Sequence, residues 1–567
     1  MTSRNPWFAA LLMASVGAYA QMPVADLILT HARVHTQDPS QPEAEAVVVQ
    51  NGRIVFVGSA QNAAAYQGAE TRVEDLGGRT VLPGLSDAHV HLQQGEFFHH
   101  QLCDVRAFSV EEGLDRAKRC AATAPEGDWV VGYGWYDLDE PAFDHLTREQ
   151  LDSVAGERRL AIISRDSHTI WVNTRVLNDY AIADDTPSPT GGQIVRDATT
   201  GAATGMLIDA AALPVLQDIQ YRSSYSKPLP DLLKAAVRHF NTLGITSLLD
   251  AFADEETLNA YVQLDRTGQL NARVTLAAPV MPGNFREEIP RIAQRRQLES
   301  ANVRLRYVKV LADGNGEVGL ASYLHRDGSG GKSPGYYSDA EMAELVALAE
   351  KHDLAVFVHT IGDGAARQVL DAVEAARHRS PVTALRHTLT HLCWIDTADM
   401  PRLTRLGVVA NIQEGWLAPA AFGGPPGYDY SRSTATGPLG PWLAGRVMPY
   451  GDLQAAGARL AAGSDWFYTD ENPWNDLQAG VTARDPDGAN PQAMLPEYAV
   501  GLPALLAART TGGAFQAYRE GDFGAVVAGR RADLIVLDKD PMDLDPMQIH
   551  SVQVDQTYFD GKLVYER

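Results

Sequence analysis

The stretch Gly84-Leu-Ser-Asp-Ala-His89-Val-His91 constrains this chain more than any other part of it. Pro83-Gly84 changes the chain direction, and a short apolar strand starts abruptly after it. The strand ends on two imidazoles at positions i and i+2. Side chains of a strand alternate between faces, so both rings point the same way and can reach one ion. A bare His-X-His pair is more often two ordinary histidines at a strand end. Here more ligand-type residues follow, each at the end of its own apolar run, so the fold has to gather strand ends.

Apolar runs of strand length occur at 160–164, 246–250, 274–278, 305–312, 354–359, 388–391, 408–412 and 460–463. Helical patterns lie between them, for example at 232–243, 339–351 and 365–376. Strand–helix alternation over this length predicts an α/β fold, a distorted (β/α)8 TIM-like barrel. With the His89 strand there are nine candidates for eight places, and the pattern does not say which is the extra one. Residues 167–226 read as a long insertion, and the Gly- and Pro-rich 415–449 as a loop over one end of the barrel. Both ends of the chain are β-rich, with Asn51-Gly52 and Asp560-Gly561 as hairpin turns. The expectation is one small composite β-sheet domain from 21–83 and 520–567, around a barrel over 84–519.

The net charge of −23 disfavours nucleic acid, anionic lipid and polyanionic substrates. Residues 1–20 read as a secretory signal peptide. Arg4 precedes an apolar core that is too short to span a bilayer, and Ala18-Tyr19-Ala20 ends it as a cleavage site. The mature chain is then expected to start at Gln21 in the periplasm or outside the cell. No later stretch is apolar enough for a membrane span. Of three cysteines, Cys103 and Cys120 are close enough in sequence to pair in an oxidising compartment, and two reduced buried thiols fit equally well. Cys393 is the odd one out.

In a barrel, functional side chains sit at the C-terminal ends of strands. Lys309, His359, His391 and Asp465 each hold such a position. A lone strand-end histidine is more often structural, and a lone aspartate is more often a helix cap. A lysine inside an apolar strand is harder to dismiss, because burying an unpaired ammonium is costly. Together with His89 and His91 these residues supply four imidazoles, one carboxylate and one amine that can become a carbamate. Borderline divalent cations such as zinc favour this nitrogen and oxygen mixture.

With these motifs the chain resembles the amidohydrolase superfamily, in the amidohydrolase-3 branch that includes N-substituted formamide deformylases. The resemblance runs from the split sheet domain to the tail motif Gly529-Arg-Arg-Ala-Asp-Leu-Ile-Val-Leu. It implies that His89 and His91 are first-strand metal ligands and that Lys309 is a bridging, carboxylated lysine. His359, in His-Thr-Ile-Gly-Asp-Gly-Ala, and His391 are implied as the next ligands, with Asp465 as the last-strand carboxylate. The branch often has Glu before the second-metal histidine. Here that residue is Thr390, which removes an acceptor for a ligand but no ligand.

The implied chemistry is metal-assisted hydrolysis of a C–N bond in an amide, an N-substituted formamide or a cyclic amide, using one or two ions. Asp465 takes the proton from water and returns it to the leaving nitrogen. His168, in Asp166-Ser-His168, stands where the branch commonly has Asp-Gly-His and can hydrogen-bond the substrate carbonyl. Trp135, Trp416 and Trp466 are candidates for an apolar substrate pocket, although most tryptophans simply pack. Asp313-Gly314 and Asp363-Gly364 read as turn formers or as partners of the ligands. The same scaffold also carries isomerases and ester or lactone hydrolases, and an exported regulatory protein is the third reading. The expected partner is a small-molecule substrate, and a homodimer is left open.

Overall fold

The computed structural model describes residues 24–567 except 106–109, 125–126, 128, 136–145, 165–167, 224–226, 315–320, 325–334, 380–383, 420–445 and 489–491. The leader read at 1–20 and most of the 415–449 loop lie outside the described residues. No helix among the described residues is long and apolar enough to cross a membrane.

Eight strands form one parallel sheet whose order in space follows their order in the chain. They are Leu85–Val90, Ile245–Asp250, Arg273–Val280, Val303–Leu311, Ala355–Thr360, Thr388–His391, Val409–Ile412 and Arg459–Ala462, called here the first to eighth barrel strands. Nearly every residue in them is buried, as expected for parallel strands covered by helices on the outside. The ring closes just past the eighth strand, where Asp465 N donates to His89 O at 2.8 Å and His91 N to Trp466 O at 2.8 Å. Gly463 permits this approach, since a Cβ there would lie 2.3 Å from the backbone nitrogen of His89. The closure sets Asp465 beside the two histidines of the first strand.

The ninth strand candidate is Arg159–Ser164, and it does not belong to the barrel. It lies in a six-stranded mixed sheet with Cys103–Asp104, Trp129–Trp135, Thr169–Val172, Gly192–Arg196 and Ala203–Asp209. The insertion between the first and second barrel strands therefore starts near Cys103, well before residue 167. Its apolar runs match barrel strands because its own core, around Trp135, Ile162, Trp171 and Met206, is equally dry. A disulfide joins Cys103 on the edge strand to Cys120 on the helix Val110–Thr123. Cys393 is buried elsewhere.

The termini build two further sheets. One pairs four strands of the N-terminal segment, and the other places Leu534–Leu537, Val554–Phe559 and Lys562–Glu566 beside Thr80–Pro83 and Arg33–His35. Asn51-Gly52 and Asp560-Gly561 both turn with positive φ, as tight hairpins between right-twisted strands require. Arg273, at the start of the third barrel strand, locks this composite domain to the barrel. Its guanidinium donates to Asp533 at 2.6 and 2.9 Å and to Asp560 at 2.6 Å, and the arginine is only 2% exposed. Removing one partner of such a buried pair leaves an uncompensated charge. Arg273→Ala is expected to cost about 3–5 kcal/mol of stability, read as a fall in urea midpoint at unchanged m-value.

Candidate metal centre and active site

The strand ends meet at one point. His89 Nε2 lies 3.3 Å and His91 Nε2 3.1 Å from the same oxygen of Asp465. One donor atom each of His89, His391 and Asp465 lies within 4.8 Å of the others. This group pairs His89 with His391 rather than with its neighbour His91. His359 joins the cluster with its ring centroid 4.6 Å from that of His391. Lys309 Nζ lies 3.4 Å from His89 Nε2 and sits over the Phe357 ring.

Two residues of the seventh strand end decide which nitrogens are offered. His391 Nδ1 contacts Gln413 Oε1 at 2.8 Å, and an amide oxygen can only accept, so Nδ1 carries the proton and Nε2 the lone pair. His89 Nδ1 lies 2.7 Å from Thr390 Oγ1, whose own hydrogen goes to Asn411 Oδ1 at 2.8 Å. The hydroxyl therefore accepts from His89 Nδ1, and Nε2 again faces the site. Thr390 supplies the acceptor that the missing Glu was expected to take away. Asn411 is itself held, donating to Ala88 O at 3.0 Å and Gln516 Oε1 at 3.1 Å. Bonds of this kind fix the tautomer and orientation of metal-binding histidines.

The residues fit a divalent cation. Burial, followed by the nearby cationic Lys309, pushes His89 well below the ordinary imidazole range. Burial also pushes His359 well down and His391 down to about 3, so these rings are neutral ligand-type imidazoles at pH 7. His359 Nε2 is buried with no hydrogen-bond partner among the described residues. A lone pair stranded in that way is costly unless an ion or a ligand meets it. Burial pushes the Asp465 carboxyl up, but the His91 hydrogen bond and the surrounding imidazoles outweigh it and hold it below the usual range. Burial lowers Lys309 to about 8. His391 and Asp465 adopt φ of 72° and 58°, a region that non-glycine residues rarely enter and that persists where surroundings enforce it.

A cavity of about 210 Å³ opens from this cluster. Its floor holds His91, Lys309, His359, His391 and Asp465, and its walls include Phe98, Phe252, Trp416, Phe467 and Tyr468. Trp416 lies flat on the His391 ring, centroids 5.0 Å apart and planes 6° apart. Trp135 and Trp466 do not line the cavity. Trp135 packs on Trp171 at 5.9 Å in the core of the insertion sheet, and Trp466 covers Gly95 and stacks on His99. Both are large apolar side chains captured by dry cores, and it is Phe467 and Tyr468 that reach the cavity.

His168 does line it, 5.8 Å from the His359 ring centre to centre. Its Nδ1 is bonded to Asp209 at 2.5 Å, and the other oxygen of Asp209 accepts from the Tyr336 hydroxyl. Asp209 ends a strand of the insertion at φ 48°. Asp313 accepts the backbone N–H groups of Ser322, Ile361 and Gly362 at 2.8–3.0 Å, tying the segment after the fourth strand to the end of the fifth. Asp363 accepts from Leu324 N at 2.9 Å, so both aspartates hold loops rather than substrate.

Several of these residues escaped the sequence reading. Asn411-Ile-Gln413 repeats the i, i+2 polar pattern of His89-Val-His91 at a strand end, a signal that was there to be read. Asp209 closes an apolar run in the same way. Tyr336 carries no such mark. Nor does Arg509, buried with Glu414 at 2.6 Å and Asp476 at 2.5 Å and facing Asp87 at 3.8 Å, beneath the first histidine.

The chain is similar to known proteins over nearly its whole length. The sequence is 28% identical over 553 residues to the N-substituted formamide deformylase of Arthrobacter pascens, covering 96% of this chain and 98% of that one. It is 26% identical over 556 residues to Protein LONG AFTER FAR-RED 3 of Arabidopsis thaliana, covering 96% and 92%. The fold matches the crystal structure of an uncharacterized metal-dependent hydrolase from Pyrococcus horikoshii with a TM-score of 0.68 at 21% identity, over 92% of this chain and 99% of that one. The sequence pattern of the amidohydrolase family matches residues 72–565, and the chain belongs to that family of metal-dependent hydrolases.

Proposed function

We propose that the protein hydrolyses a C–N bond in an amide, an N-substituted formamide or a cyclic amide. The observation that carries this reading is Asp465, a buried carboxylate among neutral imidazoles at the floor of an apolar cavity. A relative named for deformylating N-substituted formamides supports it. His89, His91, His359, His391 and Asp465 would hold the metal, and zinc suits this nitrogen and oxygen set. When bound, such an ion lowers the pKa of water toward neutrality and stabilises negative charge on the carbonyl oxygen.

The chain's own residues supply the proton path. Asp465 accepts the proton of the attacking water and later returns it to the leaving nitrogen as the C–N bond breaks. His168 is turned by Asp209 so that Nε2 faces the cavity. With Nδ1 committed to Asp209, Nε2 is the ring nitrogen left for the substrate carbonyl, to which it donates when the ring carries both protons. Asp209→Asn keeps an acceptor for the ring but removes the charge. It is expected to lower kcat by about 10²-fold with little change in KM, the loss seen when an oxyanion donor is removed. An unchanged kcat would show that the pair only holds the insertion in place.

The reading is tested by metal analysis of the purified protein, followed by a screen of amides and formamides against matched esters and lactones. Stoichiometric metal with turnover of the C–N compounds is the expected result. Turnover of esters alone would replace the C–N assignment with an ester or lactone hydrolase, and absence of metal would end both.

A further inference from the structure

The peptide units on either side of Asp465 are pinned by a buried pair, Asp87 and Ser464. Asp87 lies on the first barrel strand, two residues before His89. Its Oδ1 accepts from Ser464 N at 3.0 Å and from His89 N at 3.2 Å, and its Oδ2 accepts from Ser464 Oγ at 2.6 Å. The same hydroxyl accepts from Trp466 N at 2.9 Å. The residue before Asp465 and the residue after it are thus tied to one carboxylate. Ser464 O is held as well, by Thr469 Oγ1 at 2.7 Å. A φ of 58° at Asp465 persists only where the surroundings over-determine it, and these bonds do so. Arg509 stands behind the pair, 3.8 Å from Asp87 Oδ2, and supplies a positive charge to a carboxylate that water does not reach. Neither Asp87 nor Ser464 lines the cavity, so any effect they have on the chemistry passes through Asp465 or His89.

We infer that Asp87 and Ser464 are positioning residues for Asp465, holding its carboxylate against the first-strand histidines and open to the cavity. The inference rests on the hydrolytic reading for the task of Asp465, but the placement of the carboxylate is read without turnover. Removing Ser464 Oγ takes the acceptor from Trp466 N and a donor from Asp87 Oδ2. The peptide unit after Asp465 is then free to rotate, and the residue relaxes toward negative φ. That rotation swings the carboxylate away from His91 Nε2, which it now meets at 3.1 Å.

The test compares crystal structures of the zinc-loaded wild type and Ser464→Ala, together with kinetics on the compound that the wild type turns over best in the screen above. In Ser464→Ala the Asp465 carboxylate is expected to move by about 1 Å or more, and kcat to fall roughly 10–10²-fold with KM little changed. Adding Ser464→Ala to Asp465→Asn is expected to cost less than about twofold further, because the carboxylate being positioned is already gone. A carboxylate that stays in place at near-normal kcat would overturn the inference. So would losses that multiply in the double variant, or a loss confined to KM, since either would place the effect elsewhere in the fold. Asp87→Asn keeps Oδ1 for the two N–H groups and removes the acceptor of Ser464 Oγ. It is expected to move Asp465 in the same way, and it decides the matter if the alanine variant fails to fold. If the wild type turns over none of the screened compounds, the hydrolytic reading falls, while the structures still decide what holds Asp465.

Discussion

Replacing Asp465 with asparagine is expected to lower kcat by about 10²–10⁴-fold, the range lost when a positioned general base is removed. The carboxylate stands 3.1 Å from His91 Nε2 and 3.3 Å from His89 Nε2, so one side chain meets the candidate ligand nitrogens and opens onto the cavity. Asparagine keeps the shape and one oxygen. Metal content should therefore change little, since four imidazoles remain, while the proton acceptor is gone. The pH profile separates this role from a structural one. In the wild type the acidic limb is expected to report a carboxylate held below its usual range by the His91 hydrogen bond and the nearby imidazoles, with activity falling as pH drops into that lower range. In the variant that limb should disappear along with the rate. Near-normal turnover would rule Asp465 out as the shuttle, and loss of metal in proportion to loss of rate would make it only a ligand.

The barrel was legible because burial leaves a mark in sequence. A parallel strand covered on both sides is a continuous apolar run, and a polar residue at its end stands out. That rule located His89, His359, His391 and Asp465, and it singled out Lys309 as an amine placed where water does not reach. The same rule misassigned Arg159–Ser164. An insertion with its own dry core writes the same apolar run as a barrel strand, and periodicity cannot say which sheet a strand joins. Two of the three tryptophans were misplaced for a related reason. Trp135 and Trp466 are as apolar as Trp416, and only tertiary packing decides which of them faces the cavity.

Residues that act through others were the hardest to see. Thr390 looked like a loss because one family position was compared alone. In the structure its hydroxyl relays His89 Nδ1, 301 residues away in the chain, to Asn411 on the neighbouring strand. Tyr336 and Asp209 meet from segments more than a hundred residues apart, which no local pattern records. The candidate ligands were readable because each sits at its own strand end. Their orienting partners were not, because a hydrogen bond between distant segments leaves no period in the chain.

Lys309→Ala is expected to remove most of the activity and part of the metal. Lys309 is 3% exposed, and its amine lies 3.4 Å from His89 Nε2 and rests on the face of Phe357. A charged ammonium there would repel a divalent cation as well as pay for its own desolvation. Two states avoid this. The amine can lose its proton, which its fall to about 8 makes easier although the charged form still predominates at pH 7, or it can react with carbon dioxide. In that reaction the neutral nitrogen attacks the carbon, an N–C bond forms, one proton leaves, and an anion with two oxygen donors remains. The anion suits the ligand set better, because four neutral imidazoles and a single carboxylate leave two divalent ions undercompensated. The two states differ in what rescues the variant. If Lys309 is carboxylated, a short-chain carboxylic acid added to Lys309→Ala should restore part of both metal content and rate. Wild-type protein stripped of metal and reloaded without carbon dioxide should recover activity slowly, and added bicarbonate should speed it. A neutral lysine predicts neither response. Full metal content and full rate in Lys309→Ala would show that the amine takes no part, and that the imidazoles and Asp465 hold a single ion by themselves.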